Sequence, residues 1–171
     1  MNKNILILFG PSGSGKTTKA MELAQKICQK GYLVGGIVAP GIFFENKRFS
    51  FDIVDLMNQQ RCFLARRDMA SSINIGPFGF SHEGFSFGDS AIQKAISHKA
   101  DLIIIDEIGP LELQNQGWAK SLRLACQSEV ATILITSRPG TMEAIREIFF
   151  PDYSIISYSV EDASQCLSFF P

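Results

Sequence analysis

The stretch Gly10-Pro11-Ser12-Gly13-Ser14-Gly15-Lys16-Thr17 decides the fold. It satisfies the pattern G-x-x-x-x-G-K-[ST] and lies between an apolar run, Asn4 to Phe9, and an amphipathic stretch, Thr17 to Lys30. Glycines let the backbone curl so that successive N–H groups point at an anion, and a following helix adds its own unpaired N–H groups and dipole. The pattern therefore predicts a phosphate-binding loop between a buried strand and a helix.

Different residues of this loop are expected to contact different parts of a nucleoside triphosphate. Lys16 should bridge the β- and γ-phosphates, and the Thr17 hydroxyl should be a ligand of Mg²⁺. A merely structural glycine-rich turn has no need of a Lys-Thr pair after it. We therefore expect a nucleoside triphosphate with Mg²⁺ to be bound by Gly10, Pro11, Ser12, Gly13, Ser14, Gly15, Lys16, Thr17 and Thr18.

A second part of the site is predicted where the apolar run Leu102 to Ile105 ends in Asp106 and Glu107. Ligands of open α/β folds bind at the carboxyl ends of the strands. Asp106 fits the role of holding Mg²⁺, directly or through water. Because alternate residues face opposite sides of a strand, Glu107 is free to orient a water for in-line attack on the γ-phosphate. A solvated acidic turn is the alternative, which the phosphate loop disfavours, so the pair predicts a hydrolase.

Hydrophobic runs alternate with amphipathic stretches along the rest of the chain, which is typical of an α/β domain with a largely parallel sheet between two layers of helices. We expect residues 1–171 to form one such domain, with a hairpin-like insertion over Phe43 to Leu56 around Asn46-Lys47. The further predicted strands are Tyr32 to Val38, Val130 to Ile135 and Tyr153 to Tyr158. The further predicted helices are Asp89 to Lys99 with Asp89 as its cap, Leu111 to Gln127, Thr141 to Phe149 and Glu161 to Phe169.

Composition excludes several classes of function. Of 171 residues 46% are hydrophobic, and 16 Lys+Arg stand against 17 Asp+Glu, so the basic excess of a nucleic-acid-binding protein is absent. The early apolar run Ile5 to Phe9 is too short for a membrane span or a signal peptide, which predicts no membrane association and a cytoplasmic protein. The four cysteines and two histidines lack metal-ligand spacing, so we propose no metal site made of protein ligands alone.

Three segments each leave more than one interpretation open. The polar tip Thr136-Ser137 either hydrogen-bonds the attacking water or a γ-phosphate oxygen, or simply marks a strand leaving the core. Residues 75–88 are rich in Gly and Phe and are predicted to form a loop. This loop forms a mobile lid, or stacks a ring on a nucleobase, or is held against the core by its rings. Phe43-Phe44 could also stack on a nucleobase. The apolar face of Leu111 to Ala125 packs either inside the domain or against a second copy.

Longer motifs make the chain resemble a known family. Gly10 to Thr18, Gly41 to Glu45, Lys47 to Leu56, Leu64 to Arg66 and Ile105 to Leu113 together look like the small P-loop nucleoside-triphosphatases of thermophiles and the cancer-related nucleoside-triphosphatase of animals. Such a resemblance implies a three-layer, RecA-like fold of the additional-strand class. It also implies slow, Mg²⁺-dependent hydrolysis of ATP, GTP and other triphosphates, with Lys16, Thr17, Asp106 and Glu107 in the roles given above.

The resemblance also bears on arginines. Arg48 matches the family's arginine before the Phe-Asp segment and is assigned to nucleotide binding on that ground. The family's Asn-Arg after the last strand is replaced here by Ser159-Val160-Glu161-Asp162, so no arginine finger in cis is obvious, which favours slow hydrolysis. Arg48, Arg66, Arg138 and Arg146 are the candidates to supply that charge, and a partner protein or second copy is the alternative source.

Two other functions compete with hydrolysis. One is a nucleotide or small-molecule kinase, since such enzymes are P-loop domains of similar length. Kinases normally carry several arginines in a mobile lid, and the Phe78 to Phe87 segment carries none, which favours hydrolysis. The other is a nucleotide switch or adaptor whose bound state is read by a partner.

Overall fold

The computed structural model describes residues 3–171 as one ten-stranded sheet with helices on both faces. In chain order the strands and helices are β1 (Asn4–Phe9), α1 (Lys16–Gln29), β2 (Val34–Val38), β3 (Gly41–Phe44), β4 (Lys47–Asp55), β5 (Arg61–Arg67), β6 (Asn74–Ile75), β7 (Phe78–Phe80), α2 (His82–Ser97), β8 (Leu102–Ile105), α3 (Pro110–Leu113), α4 (Ala119–Gln127), β9 (Thr132–Ser137), α5 (Met142–Phe149) and β10 (Ile155–Ser159). Two 3-10 helices cover Pro139–Thr141 and Ala163–Phe169.

The parallel half of the sheet has the order β10-β1-β9-β8-β2. Strand β9 lies between β1, which leads into the phosphate loop, and β8, which ends before Asp106. This inserted strand defines the additional-strand arrangement, so the predicted RecA-like fold class is confirmed. The arrangement also brings the carboxyl ends of β1, β9 and β8 side by side at one edge of the sheet.

The insertion after β2 is larger than the predicted hairpin. The hairpin itself is present, since β3 and β4 pair antiparallel around Glu45 and Asn46, both of which have positive φ. Strand β4 also pairs with β2, and it extends the sheet through β5, β7 and β6, all antiparallel. The prediction missed β5 to β7 because their short, glycine-interrupted runs carry little periodic signal.

Both faces of β1, β2, β8 and β9 are buried, whereas the edge strand β10 is partly exposed, and this arrangement divides the core into two parts. On one face, Leu6 and Leu8 pack against α1 residues such as Leu23. On the other, Ile5 and Ile7 pack toward α2 and α4. The predicted three-layer architecture is therefore confirmed, and the apolar face of α4, with Leu122 and Ala125 fully buried, packs inside the domain.

Two predictions about residues 75–99 are wrong. Helix α2 begins at His82, where the Ser81 hydroxyl accepts a hydrogen bond from Gly84 N–H at 3.1 Å, so Asp89 lies within the helix and is not its cap. The predicted loop over residues 75–88 is instead the end of β6, a two-residue turn, β7 and the first turns of α2. Glycine serves close packing here: a Cβ at Gly84 would meet Leu64 Cα at 2.9 Å. At Gly88 a Cβ would meet the Trp118 ring at 2.5 Å.

The predicted helix Leu111 to Gln127 is also wrong, because the chain forms α3 and α4 with a break over residues 114–118. Asn115 and Gly117 both have positive φ in this break. The carboxylate of Glu112 occupies the space that a side chain at Gly117 would need. The closing segment, predicted as a helix over Glu161 to Phe169, is a 3-10 helix. Across residues 3–171 no helix is long and apolar enough to cross a membrane.

Candidate active site

The phosphate loop follows β1 and leads directly into α1, as predicted. Gly13 and Gly15 have φ of 80° and 93°, the left-handed conformation that glycine adopts without strain. Gly15 is the residue before the first turn of α1, whose leading N–H groups have no intrahelical partner. The Ser14 hydroxyl oxygen is buried and finds no hydrogen-bond partner within residues 3–171. The left-handed glycines and the free N-terminus of α1 give the loop the backbone shape that an anion site requires.

Lys16 is buried with its ammonium group inside the curl of the loop. Its Nζ donates to the carbonyl oxygens of Gly10 at 2.9 Å and Pro11 at 3.0 Å. The same Nζ lies 3.5 Å from Glu107 Oε2. The cation is therefore fixed between the loop and the carboxylate at the end of β8.

Asp106 is 1% exposed and is surrounded by hydrogen-bond donors. Its Oδ2 accepts from the Thr17 hydroxyl at 2.7 Å and from Ala39 N–H at 3.0 Å, and its Oδ1 accepts from the Thr136 hydroxyl. Burial raises the pKa of the Asp106 carboxyl above its usual range, and the three donors oppose this rise. A cation placed beside Thr17 would favour the ionised form further.

Glu107 lies at the rim of the same cleft, with 30% of its side chain exposed. Its Oε1 accepts from Arg138 Nε at 3.0 Å, while its Oε2 faces Lys16. The carboxylate is therefore held by two cations and still reaches solvent, which is where a water near a γ-phosphate would lie.

Two of the four candidate arginines are near this cleft. Arg138 contacts Glu107 directly. Arg48 lines the cleft, with its guanidinium carbon 5.4 Å from the Phe43 ring centroid and 5.3 Å from that of Phe51. Its Nε is buried and finds no hydrogen-bond partner in the described part of the chain. Arg66 is exposed on β5, and Arg146 donates to the Ser157 hydroxyl at 2.8 Å; neither lines the cleft.

These groups surround a cleft of about 280 Å³, which we call the nucleotide cavity. One wall is the phosphate loop with Lys16, Thr17 and Thr18, and the opposite wall is formed by Asp106 and Glu107. The remaining wall is formed by Met21, Ala39, Pro40, Gly41, Phe43 and Phe51, and the Arg48 guanidinium lies over the two phenylalanine rings.

The sequence model of the NTPase family matches residues 5–161. The chain belongs to the NTPase family. It is 32% identical over 145 residues to the nucleoside-triphosphatase THEP1 of Methanopyrus kandleri, a match that covers 83% of this chain and 79% of that protein. It is 30% identical over 143 residues to the protein of the same name from Methanothermobacter thermautotrophicus, covering 83% and 80%.

Two solved structures share the fold of this NTPase family member. THEP1 from the hyperthermophile Aquifex aeolicus superposes with a TM-score of 0.74 at 19% identity, covering 98% of both chains. The solution structure of a human cancer-related nucleoside triphosphatase gives a TM-score of 0.69 at 21% identity, covering 98% of this chain and 97% of that one. The resemblance seen in the sequence is therefore confirmed.

Sequence reasoning did not find the role of Thr136 in this site. The Thr136 hydroxyl donates to Asp106, and the Ser137 hydroxyl donates to the Ile108 carbonyl at 3.0 Å and lies 2.9 Å from the Thr141 hydroxyl. Both hydroxyls therefore hold the end of β8 rather than face the cleft or leave the core. The fold class could have indicated this role, because in the additional-strand arrangement β9 lies next to β8 and so ends beside Asp106.

Glu112 is a second residue that the sequence did not single out for a role. It is 4% exposed, and its two oxygens accept from Gly109 N–H and Trp118 N–H, both at 2.9 Å. Burial raises the pKa of Glu112 to about 7, against the effect of these two donors. The side chain ties the segment after Glu107 to the break between α3 and α4, and thereby fixes the backbone next to the site.

Replacing Glu112 by glutamine should remove a pH dependence of stability. Between pH 4.5 and about 7 the folded chain keeps the Glu112 proton while the unfolded chain releases it, so the stability due to this proton is lost as pH rises to about 7. The free energy of unfolding should fall by about 3 kcal/mol more in the wild type than in Glu112→Gln over this range. Urea unfolding at pH 5, 6, 7 and 8 measures this difference. The pKa of Asp106 is also raised by burial, but its contribution is present in both proteins and cancels in the comparison.

Glu143→Gln, at an exposed position in the first turn of α5, is the matched control for this experiment. Its unfolding curves should follow those of the wild type at every pH. Parallel pH profiles for the wild type and Glu112→Gln would show that Glu112 stays ionised in the folded chain, contrary to the prediction.

Proposed function

We propose that this chain is an Mg²⁺-dependent nucleoside-triphosphatase that hydrolyses ATP, GTP and other nucleoside triphosphates to the diphosphate and inorganic phosphate. One juxtaposition carries the proposal. The Lys16 ammonium, the group expected at the β- and γ-phosphates, lies 3.5 Å from the Glu107 carboxylate, the group expected to hold the attacking water. A loop that only bound phosphate would not need a carboxylate at that point.

The residues present fit Mg²⁺. Thr17 and Asp106 offer a hydroxyl and a carboxylate oxygen 2.7 Å apart, and hard oxygen ligands are those that Mg²⁺ prefers. Mg²⁺ in phosphate sites usually takes one or two protein oxygens and completes its shell with water and phosphate. Thr17 would bind the ion, with Asp106 holding it directly or through water, and the bound ion would neutralise charge that develops on the β- and γ-phosphate oxygens.

The mechanism assigns one task to each side chain. Loop N–H groups bind the phosphate chain, and Lys16 holds the β- and γ-phosphates in position. The Glu107 carboxylate accepts a hydrogen bond from a water in line with the γ-phosphorus and takes a proton from it as the new P–O bond forms and the bond to the β-phosphate oxygen breaks. Arg138, which holds Glu107 in place, supplies positive charge beside the transferring group.

The walls of the nucleotide cavity support broad base tolerance and slow turnover. Beyond the phosphate loop the wall offers Met21, Pro40 and Phe43, which can contact the face of a base without hydrogen-bonding its edge. Arg138 is 51% exposed and is committed to Glu107 through its Nε, so it is a less buried charge than an arginine finger docked on the phosphates. A second copy or another protein that added an arginine would raise the rate.

Release of inorganic phosphate from ATP, GTP, CTP and UTP tests this function. With Mg²⁺ and no added acceptor, the four rates should lie within about tenfold of one another, since apolar contacts discriminate weakly. EDTA in excess over Mg²⁺ should abolish release. Undiminished release in EDTA would contradict the metal dependence, and a preference of more than about 10³ for one base would contradict the base tolerance.

A further inference from the structure

A second cavity, of about 290 Å³, opens beside the nucleotide cavity. Both cavities are lined by Ser12, Ala39, Arg48, Phe51, Asp106 and Glu107. The second one extends from Glu107 toward the antiparallel strands and α2. We call it the aromatic cavity, because its inner wall consists of Phe51, Leu64, Phe78, Phe80, Phe85 and Trp118.

The wall of the aromatic cavity is held in shape by contacts between its own rings. Phe51 and Phe78 meet edge to face with centroids 5.1 Å apart, and Phe80 and Phe85 stack at 5.6 Å. Phe85 also contacts Trp118 at 4.8 Å. Pre-formed apolar cavities of this size are typical binding sites for small molecules.

Most charged groups of the aromatic cavity lie where it meets the nucleotide cavity. Arg48, Asp106 and Glu107 line both cavities, and Arg138, which lines the aromatic cavity alone, contacts Glu107. The wall also contains the carboxylate of Glu112, but both oxygens of this carboxylate already accept hydrogen bonds from backbone N–H groups. A ligand that fits this distribution has an apolar, flat body and one polar group at the end that faces Glu107.

The phosphate chain and the aromatic cavity meet at the γ-phosphate end. Lys16, Thr17 and Thr18 line the nucleotide cavity alone, so the triphosphate lies there, and its γ end lies where Lys16 faces Glu107. Met21 and Phe43, which offer a surface for the nucleoside, also belong to the nucleotide cavity alone. The aromatic cavity therefore begins where the γ-phosphate ends.

Hydrolysis by itself leaves this space unexplained. A single water occupies about 30 Å³, whereas the aromatic cavity has about 290 Å³ and an inner wall formed largely by apolar side chains. A nucleophile larger than water, with an apolar body behind it, accounts for both the volume and the walls.

We propose that the aromatic cavity binds a small aromatic alcohol whose hydroxyl lies beside Glu107, and that this hydroxyl takes the γ-phosphoryl group in place of water. The proposal rests on the proposed function, because it uses the same triphosphate site and the same base. The hydroxyl oxygen forms a bond to the γ-phosphorus, and the bond from that phosphorus to the β-phosphate oxygen breaks. The Glu107 carboxylate takes the hydroxyl proton and passes it to solvent, so that the products are a phosphate monoester and a nucleoside diphosphate.

Trp118 makes occupancy of the aromatic cavity measurable. It is the one tryptophan of the sequence and lies in the cavity wall, so its fluorescence reports on that cavity. The probes are benzyl alcohol, 4-hydroxybenzyl alcohol and cinnamyl alcohol, titrated without nucleotide. At least one should change Trp118 emission saturably at millimolar concentration or below. Adenosine, titrated in the same way, should not.

Transfer is tested by ³¹P NMR after incubation with MgATP and each probe that binds. A new phosphate-monoester signal should appear, and the amount of inorganic phosphate formed should be lower than without the probe by a corresponding amount. Ile75→Phe, at a half-buried position that lines the aromatic cavity alone, should weaken probe binding by about tenfold or more. Ile156→Phe, at an exposed position of β10 that lines neither cavity, is the matched control and should behave as the wild type does.

Four results would overturn the acceptor proposal. They are no response of Trp118 to any probe, binding without monoester formation, unchanged probe binding in Ile75→Phe, and a Trp118 response to adenosine, which would place the nucleobase in the aromatic cavity. Failure of the proposed function is separate, because it appears as absent phosphate release from MgATP when no probe is present.

Discussion

Glu107→Gln should release phosphate from MgATP at least about 10² times more slowly than the wild type, the range expected when a positioned base is lost. Glutamine keeps the length of the side chain and an oxygen that can accept from Arg138, so the fold of the site is retained. It has no charge to take a proton from water. The affinity for MgATP should be unchanged or higher, because a negative charge near the γ-phosphate has been removed.

Turnover under saturating MgATP and binding of a fluorescent ATP analogue measure the two quantities separately. Glu143→Gln, exposed on α5 and outside both cavities, is the control for loss of a carboxylate and should keep the wild-type rate. If Glu107→Gln retained more than about a tenth of the activity, the base would have to be another group.

Lys16→Ala should lower kcat/KM for MgATP by about 10³ or more, because it removes a charge that contacts the phosphates in both the ground state and the transition state. Unlike Glu107→Gln, this variant should also lose most of its affinity for nucleotide. Since the Lys16 ammonium also donates to the carbonyl oxygens of Gly10 and Pro11, its removal loosens the loop itself.

Two further variants separate these effects. Lys16→Met keeps most of the buried aliphatic stem and should be as inactive as Lys16→Ala, which would assign the loss to the charge rather than to packing. Lys19 lies on the same helix, and within the described part of the chain its ammonium pairs only with the partly exposed Glu22. The rate of Lys19→Ala should therefore stay within about twofold of the wild-type rate. Normal hydrolysis by Lys16→Ala would mean that the site lies elsewhere.

Strands β1 and β8 could be predicted from the sequence because each is an almost unbroken apolar run, whereas the predicted ends of β2, β9 and β10 differ from the structure by one or two residues. The prediction for β1 agrees with the structure at both ends, as does that for β8. Helix α2 could not be delimited, because its first turns contain Gly84 and Gly88, residues that disfavour helices in isolation. Tertiary contact with β5 and Trp118 requires those glycines, and this information is not local.

The sequence predicted which side chains lie together at the proposed site, but not the groups that support them. Lys16 and Thr17 of the loop meet Asp106 and Glu107 after β8, as the position of both segments at the carboxyl ends of strands predicted. The support of Asp106 by Ala39 N–H and Thr136 depends on strands far apart in the chain, so no spacing rule could give it. Arg138 was one of four arginines considered as a source of positive charge, and its contact with Glu107 depends on the order of β1, β9 and β8, which the sequence does not state directly.

The two cavities together explain how one fold can serve water and a larger nucleophile. Both acceptors would meet the γ-phosphate at Glu107, with the same lysine and the same loop holding the triphosphate. Transfer to water would then be the reaction that occurs when the aromatic cavity is empty.

A crystal structure with Mg²⁺ and a non-hydrolysable ATP analogue tests the central claim most directly. The γ-phosphate should lie within about 3 Å of Lys16 Nζ, the distance of a charge-assisted hydrogen bond. Mg²⁺ should lie beside Thr17 and Asp106, and a water in line with the γ-phosphorus should contact Glu107. A triphosphate bound away from the loop, or with its γ end turned from Glu107, would contradict the account.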